Sequence, residues 1–289
     1  MSMQASSFLA LAGPAEFWRQ LDNPVAFLVL GSLAAMVMGA AKSGFAGGIG
    51  LLSMPILIYA CAGNSTLANA MMLPLLIACD YVTIVIWWRR WDARVVLLLV
   101  PGMIVGIALG TLALWGMLSL GGGLRGPQQK LTDAALNLTI GLLALGFVGL
   151  RIWRTFHKAT TPFRPNSVNG FATGTAAGLT STLAHAAGPI TTMFLLPQAM
   201  DKTKFVATAC LYYFIGNQLK LAPYLGLRLL TVESMMGSLF LLPAVVVGAF
   251  LGAFLHKRVN EKIFSAIVYV LLTAAGVQLI RDALRTLLG

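Results

Sequence analysis

The chain alternates long apolar stretches with short polar gaps, and ten such stretches cover most of its length. They comprise residues 25–41, 49–62, 68–88, 95–117, 131–150, 168–183, 189–200, 204–222, 235–255 and 263–280. Because a helix rises about 1.5 Å per residue, about 20 apolar residues are needed to cross the roughly 30 Å of hydrocarbon in a bilayer. The pattern predicts an all-α, multi-pass membrane protein. The second, sixth and seventh stretches are short, and the pattern leaves open whether they span the bilayer or re-enter it.

Composition leads to the same class of protein. Hydrophobic residues make up 58% and charged residues only 10% of the 289 positions, whereas soluble domains carry about 25% charged residues. A soluble fold is therefore excluded. The net charge of +11 would suggest nucleic acid in a soluble protein, but Lys and Arg lie mainly in the gaps between apolar stretches, where they orient the chain. We expect the lipid bilayer as a partner, and neither nucleic acid, nor a cofactor, nor a metal.

The two halves of the chain contain a repeated pattern of proline and glycine. Residues Pro101, Gly106 and Gly110 match Pro243, Gly248 and Gly252 at a constant offset of 142. Each copy contains five apolar stretches, so the second copy enters the membrane from the opposite side, and the halves form an inverted repeat. This predicts an N-terminal interfacial segment (1–24), a first repeat (25–153), a cytoplasmic linker (154–167) and a second repeat (168–289).

The positive charges predict the orientation of the chain. With the N-terminus outside, twelve Lys and Arg residues fall on the cytoplasmic side, in the gaps 89–94, 151–164, 202–204 and 257–262, and six fall on the outer side. This excess agrees with the positive-inside rule. We expect a protein of the cell inner membrane with periplasmic N- and C-termini. Trp87, Trp88 and Trp91 are expected to anchor one interface.

The first two stretches of each half are interrupted by helix-breaking sequence, at Gly39–Gly50 and at Gly178–Pro189. Non-helical backbone in hydrocarbon is tolerated only where it is buried in protein or lines a wet cavity. A helix that restarts after each break presents unpaired N–H groups and a positive dipole end, which together favour an anion. Paired breaks in corresponding positions therefore predict a central anion site.

Thirteen residues form the predicted anion site. The first break contributes Lys42, Ser43, Gly44, Gly47, Gly48 and Gly50, the second contributes Thr180, Ser181, His185 and Gly188, and the eighth stretch contributes Asn217, Gln218 and Lys220. The glycines also fit simple helix packing, the lysines an interfacial position, and the amides interhelical hydrogen bonds. Asp80 is either a salt-bridge partner for a lysine or a proton-coupling group, and His185 is the second coupling candidate.

Three segments carry a resemblance to a known family. They are GAAKSGFAGGIGLLSMP at 39–55, LTSTLAHAAGPITTMFLLPQ at 179–198 and ATACLYYFIGNQLKLAPYLG at 207–226. In these segments the chain resembles the sulfite exporter TauE/SafE family, also called toluene sulfonate uptake permeases, and the resemblance extends over about residues 25–285. It implies transport of sulfite, thiosulfate, an organosulfonate or a similar anion across the cytoplasmic membrane, without a nucleotide-hydrolysing partner.

The expected function is secondary transport of a small anion by alternating access. A passive anion channel would use the same residues, and Ser181 with His185, four residues apart, raises the alternative of an intramembrane hydrolase. The identity of the anion, the direction of transport, the coupling ion and the choice between monomer and homodimer stay open.

Overall fold

The computed structural model describes residues 23–45, 50–120, 128–156, 166–256 and 261–288, and within them the chain is helical throughout, with short joints. The α-helices are α1 (Pro24–Phe45), α2 (Ser53–Ala60), α3 (Ser65–Ile86), α4 (Ala93–Leu120), α5 (Gln129–Phe156), α6 (Ser167–Ala184), α7 (Ala187–Leu195), α8 (Lys202–Gly226), α9 (Val232–Leu255) and α10 (Glu261–Leu288). Each predicted stretch overlaps one of these helices, which confirms the all-α class. Most of the predicted N-terminal segment and linker lies outside the described residues.

Five of the described helices are long and apolar enough to cross a membrane: Pro24–Phe45, Ser65–Ile86, Ala93–Ser119, Gln129–Leu150 and Val232–Leu255. Many of their large apolar side chains face outward. Leu97 and Trp115 of α4, for example, are 66% and 60% exposed. Side chains of this kind are stable at a lipid surface and costly in water. The protein is therefore a multi-pass membrane protein.

The helix packing relates the two halves to each other. Extensive contacts join α1 to α9 and α4 to α6, so that the first helix of each half packs along the fourth helix of the other. The fifth helices, α5 and α10, contact each other, and so do the third helices, α3 and α8. Exchanging the two halves therefore converts the α1–α9 pair into the α6–α4 pair, and it leaves the α5–α10 and α3–α8 pairs unchanged.

Glycines at equivalent positions allow the two closest helix pairs to approach. A Cβ atom added at Gly39 of α1 would lie 2.5 Å from the carbonyl oxygen of Val245, and one added at Gly178 of α6 would lie 2.5 Å from that of Met103. Small residues let membrane helices pack backbone against backbone. Close packing of helices therefore explains why glycine occupies positions 39 and 178.

The structure corrects the prediction for Trp87. Its side chain is only 7% exposed, and its indole N–H donates to the carbonyl oxygen of Ser43 at 3.0 Å. Trp87 therefore bonds to a carbonyl near the end of the described part of α1 and is buried within the protein. Trp88, by contrast, is 60% exposed, as an interface anchor would be.

Candidate functional site

The described residues place a joint at or near each predicted break, and residues 46–49 of the first break lie outside them. In the first half α1 continues to Phe45, and a 3-10 turn at Gly50–Leu52 leads into α2. In the second half α6 continues to Ala184 and α7 begins at Ala187. Lys42 and Ser43 therefore lie on regular helix in α1, and Ser181 lies on regular helix in α6. The helices continue through these positions because a single glycine destabilises a helix only modestly.

His185 forms the joint of the second half. Its backbone adopts the left-handed conformation, with φ of 52°, which is uncommon outside glycine but several-fold enriched for Asn, Asp and His. The chain turns there and α7 restarts after Ala186, which provides no side-chain cap. The first N–H groups of α7 are therefore left for another acceptor.

The two joints border one cavity. The polar side chains that line it are those of Lys42, Ser53, Ser181, His185, Tyr213 and Asn217. The lining also includes Gly50, in the turn before α2, and Ala187 and Gly188, in the first turn of α7. The space open to the centre of a water molecule is about 40 Å³. Since one water needs about 10–15 Å³ on this scale, the cavity holds roughly three waters or one small oxyanion.

A buried ion pair forms one wall of the cavity. The ammonium group of Lys42 on α1 pairs with one carboxylate oxygen of Asp80 on α3, and the amide of Asn217 on α8 donates to the other oxygen at 2.6 Å. Lys42 is 5% exposed and Asp80 is fully buried. Of the two interpretations of Asp80, the salt bridge to a lysine is the one that the geometry displays.

A second ammonium group lies immediately behind the opposite wall. Lys220 of α8 is fully buried, and its Nζ donates to the hydroxyl of Ser181 at 3.0 Å and to the carbonyl oxygen of Ser181 at 3.2 Å. Its third partner is Nδ1 of His185, also at 3.2 Å. All three partners are neutral acceptors, and Lys220 is buried rather than interfacial.

The hydrogen bonds of His185 define its tautomer. Because Nδ1 faces the Lys220 ammonium group, it accepts, and the ring proton lies on Nε2, which is 3.1 Å from the carbonyl oxygen of Asn69. The hydroxyl of Tyr224 donates to the carbonyl oxygen of Thr182 at 2.9 Å and lies 3.4 Å from Nε2. Neutral His185 is thus fixed between α3, α6 and α8.

With His185 neutral, the ionisable side chains described around the cavity leave a charge imbalance. Lys42 and Lys220 contribute two positive charges, and Asp80 contributes one negative charge. A buried charge without a partner of opposite sign is costly. With both lysines charged, these three side chains carry one more positive than negative charge.

Several predicted site residues do not reach the cavity. Ser43 donates to the carbonyl oxygen of Ala249 at 2.5 Å, and Gly44 packs against α9, where an added Cβ would lie 2.4 Å from the oxygen of Gly252. Thr180 bonds back to the carbonyl oxygen of Ala176 at 2.9 Å. The side chain of Gln218 is likewise absent from the lining, and Gly47 and Gly48 lie outside the described residues.

Sequence reasoning missed four residues of this region: Ser53, Asn69, Tyr213 and Tyr224. Two of them belong to a single face of α8, formed by Tyr213, Asn217, Lys220 and Tyr224 at spacings of four, three and four residues. Such spacing places side chains one above another on a helix. This spacing in the sequence could have identified Tyr213 and Tyr224 as neighbours of Asn217 and Lys220. It also places Gln218 on a different face of α8 from Asn217.

The geometry does not support the alternative of an intramembrane hydrolase. Ser181 and His185 both accept hydrogen bonds from Lys220, and among the described contacts none joins the serine hydroxyl to a ring nitrogen of His185. A serine nucleophile needs such a base within hydrogen-bond reach.

Comparison with known proteins identifies a family. Residues 30–279 match the family described as Sulfite exporter TauE/SafE. This range includes both joints, the ion pair and Lys220. No curated protein and no solved structure matches the chain.

Proposed function

Because the chain belongs to the sulfite exporter TauE/SafE family, we propose that it is a secondary transporter that moves a small sulfur-containing anion, such as sulfite, thiosulfate or an organosulfonate, across the cell inner membrane. The substrate class rests on the family and on the size and charge of the cavity. A space for about three waters, bordered by two helix N-termini and Lys42, with Lys220 behind its wall, fits a compact oxyanion. Inorganic sulfite is the first substrate to test.

The excess charge at Lys220 is the observation that carries this proposal. Lys42 is already paired with Asp80, whereas the hydrogen-bond partners of Lys220 among the described residues are Ser181 and His185. An anion in the cavity contacts the neutral groups that hold Lys220 and compensates its charge. The anion therefore supplies a negative charge beside Lys220. Its binding is favourable and does not require the Lys42–Asp80 ion pair to open.

Alternating access is the mechanism that the helix arrangement supports best. The cavity lies where the joints of both halves meet, and the helix pairs α1–α9 and α4–α6 are exchanged when the halves are exchanged. An inverted repeat provides two conformations of similar energy, in which the same site opens to opposite sides. We place the N- and C-termini in the periplasm, following the distribution of Lys and Arg.

Proton coupling would act through His185. Protonation of its imidazole would place a second positive charge 3.2 Å from the Lys220 ammonium group, and that arrangement is unfavourable unless an anion is present. Binding of a proton and binding of an anion therefore support each other. Asp80 is the second coupling candidate, because its protonation would release Lys42 to the anion.

The test is the flux of labelled sulfite in proteoliposomes. Lys220→Met removes the charge and retains much of the side-chain volume, and we expect transport to fall at least about tenfold. Gln218→Ala, two residues away and off the cavity, should retain more than half of the flux. Anion-induced thermal stabilisation should disappear only in Lys220→Met. Unaltered flux in Lys220→Met, in protein with a normal melting temperature, would remove the proposed role.

A further inference from the structure

A second, smaller cavity adjoins the anion site. It shares Ser181, Ala187, Tyr213 and Asn217 with the first cavity. The space open to the centre of a water molecule is about 10 Å³, which is about the requirement of one water. The second cavity therefore has room for one small group, such as the end of an anion bound in the first.

The far wall of the second cavity is mostly apolar. It is formed by Met103 and Ile107 of α4, Gly178 of α6, and Gly216 and Tyr212 of α8. An added Cβ at Gly216 would lie 2.8 Å from the sulfur of Met103, so the absence of a side chain at this position leaves room for the flexible methionine. Methionine adapts its shape to small ligands. This wall suits a short carbon segment.

Tyr212 brings a polar group to this otherwise apolar set of residues. The hydroxyl of Tyr212 is buried and has no hydrogen-bond partner among the described residues, and the side chain is only 1% exposed. Its ring packs edge-on against Tyr213, with the ring centres 5.7 Å apart, which fixes its position. Buried hydroxyls in proteins are nearly always paired, so an unpaired one beside a cavity indicates a partner that arrives with a ligand.

We propose that the second cavity is a specificity subsite for the organic end of a short sulfonate. The sulfonate group lies in the first cavity, and a terminal oxygen one or two carbons away accepts a hydrogen bond from Tyr212. This inference rests on the proposed anion transport and narrows its substrate class to C1–C2 sulfonates that carry an oxygen. Sulfite fills the first cavity alone and leaves Tyr212 unpaired.

The selectivity follows from the burial of the hydroxyl. A site built to hydrogen-bond a substrate oxygen discriminates strongly against the analogue that lacks it, because the polar group of the site is then left unpaired. 2-Hydroxyethanesulfonate and ethanesulfonate differ only in this oxygen. We expect the wild-type protein to bind the first at least about tenfold more tightly.

Tyr212→Phe tests the assignment, since it removes the hydroxyl and keeps the ring contact with Tyr213. Affinities of the purified protein for sulfite, ethanesulfonate and 2-hydroxyethanesulfonate are measured by calorimetry, with Tyr81→Phe, a tyrosine that is 55% exposed, as the matched control. The preference for 2-hydroxyethanesulfonate should vanish in Tyr212→Phe and persist in Tyr81→Phe, and the sulfite affinity should change less than about twofold.

The outcomes separate this inference from the transport proposal. Sulfite binding without any preference between the two sulfonates in the wild type means that the second cavity holds only water, and it overturns the subsite. A preference that survives in Tyr212→Phe also overturns it. Failure of the wild-type protein to bind any of the three anions overturns the anion site itself, and the subsite with it.

Discussion

Lys42 of α1 and Asp80 of α3 form an ion pair at the cavity that is removed from solvent. Asn217 of α8 binds the second carboxylate oxygen, and the Lys42 ammonium group lies 5.5 Å from the centre of the Tyr213 ring. The pair therefore joins three helices from both halves of the chain. The contribution of the pair to stability depends on the nearby ammonium group of Lys220, whose partners among the described residues are neutral.

Single substitutions of the ion pair should have unequal effects on stability. Asp80→Asn leaves Lys42 and Lys220 both uncompensated, whereas Lys42→Met leaves Asp80 with Lys220 as a countercharge. Breaking a buried pair costs about 3–5 kcal/mol, and we expect Asp80→Asn to lower the melting temperature more than Lys42→Met. The double variant removes both partners of the pair together, so neither is left alone, and it should be more stable than Asp80→Asn. Melting curves in detergent provide the measurement.

Added sulfite gives a second measurement on the same variants. An anion should raise the melting temperature of Asp80→Asn more than that of the wild type, because Lys42 at the cavity and Lys220 behind its wall then both lack a carboxylate partner. The matched control is Asp92→Asn, which removes a carboxylate far from the ion pair. Equal stabilisation of all variants would show that the anion binds away from Lys42 and Lys220.

His185→Asn should separate the pH dependence of transport from transport itself. Asparagine tolerates the left-handed backbone at position 185, but its amide does not titrate. We expect the variant to transport sulfite while losing the part of the pH dependence of its rate that protonation of His185 confers. The measurement is the initial rate in proteoliposomes, at equal pH on both sides and with an imposed pH gradient. A pH profile identical to that of the wild type would assign coupling to another group.

The sequence was sufficient to predict the helices because hydropathy alone determines where a chain can cross hydrocarbon. All predicted stretches overlap helices within a few residues. The same reasoning misplaced Trp87, since aromatic residues at the end of an apolar stretch suit an interface and a helix terminus equally well. Only the neighbouring carbonyl of Ser43 decides between these positions.

The candidate site was predicted less completely than the fold. Lys42, Ser181, His185, Gly188 and Asn217 do reach the cavity, because the paired breaks indicated where the two halves meet. Ser43 and Gly44 belong to the contact with α9, since the helix continues through them and turns them away. The partners of a side chain depend on the rotation of each helix, and only the face of α8 carried that information.

Acid should weaken a surface contact that joins the loop before α4 to α8. Lys204 lies 2.8 Å from a carboxylate oxygen of Asp92, and this hydrogen bond holds the pKa of Asp92 below its usual value. A lowered folded-state pKa stabilises the protein above the unfolded-state pKa of about 3.9, and the benefit is lost as the pH falls through the lower folded-state pKa. Both side chains are partly exposed, so the effect is at most about 1 kcal/mol. The melting-temperature difference between the wild type and Asp92→Asn should therefore shrink below about pH 4, and a constant difference would contradict the pairing.

Equivalent glycines of the two halves should respond equally to the addition of a methyl group. A Cβ at Gly39 would lie 2.5 Å from the backbone oxygen of Val245, and a Cβ at Gly178 would lie 2.5 Å from that of Met103. Backbone cannot move aside as a side chain can, so Gly39→Ala and Gly178→Ala should each destabilise the protein by about 1–3 kcal/mol. Gly116→Ala, whose Cβ would meet nothing within 4 Å, is the control and should be neutral or stabilising by up to about 1 kcal/mol, because alanine favours helix. Melting in detergent measures all three variants. A large loss at one glycine and none at the other would argue against equivalent packing of α1 on α9 and of α6 on α4, and therefore against the inverted repeat.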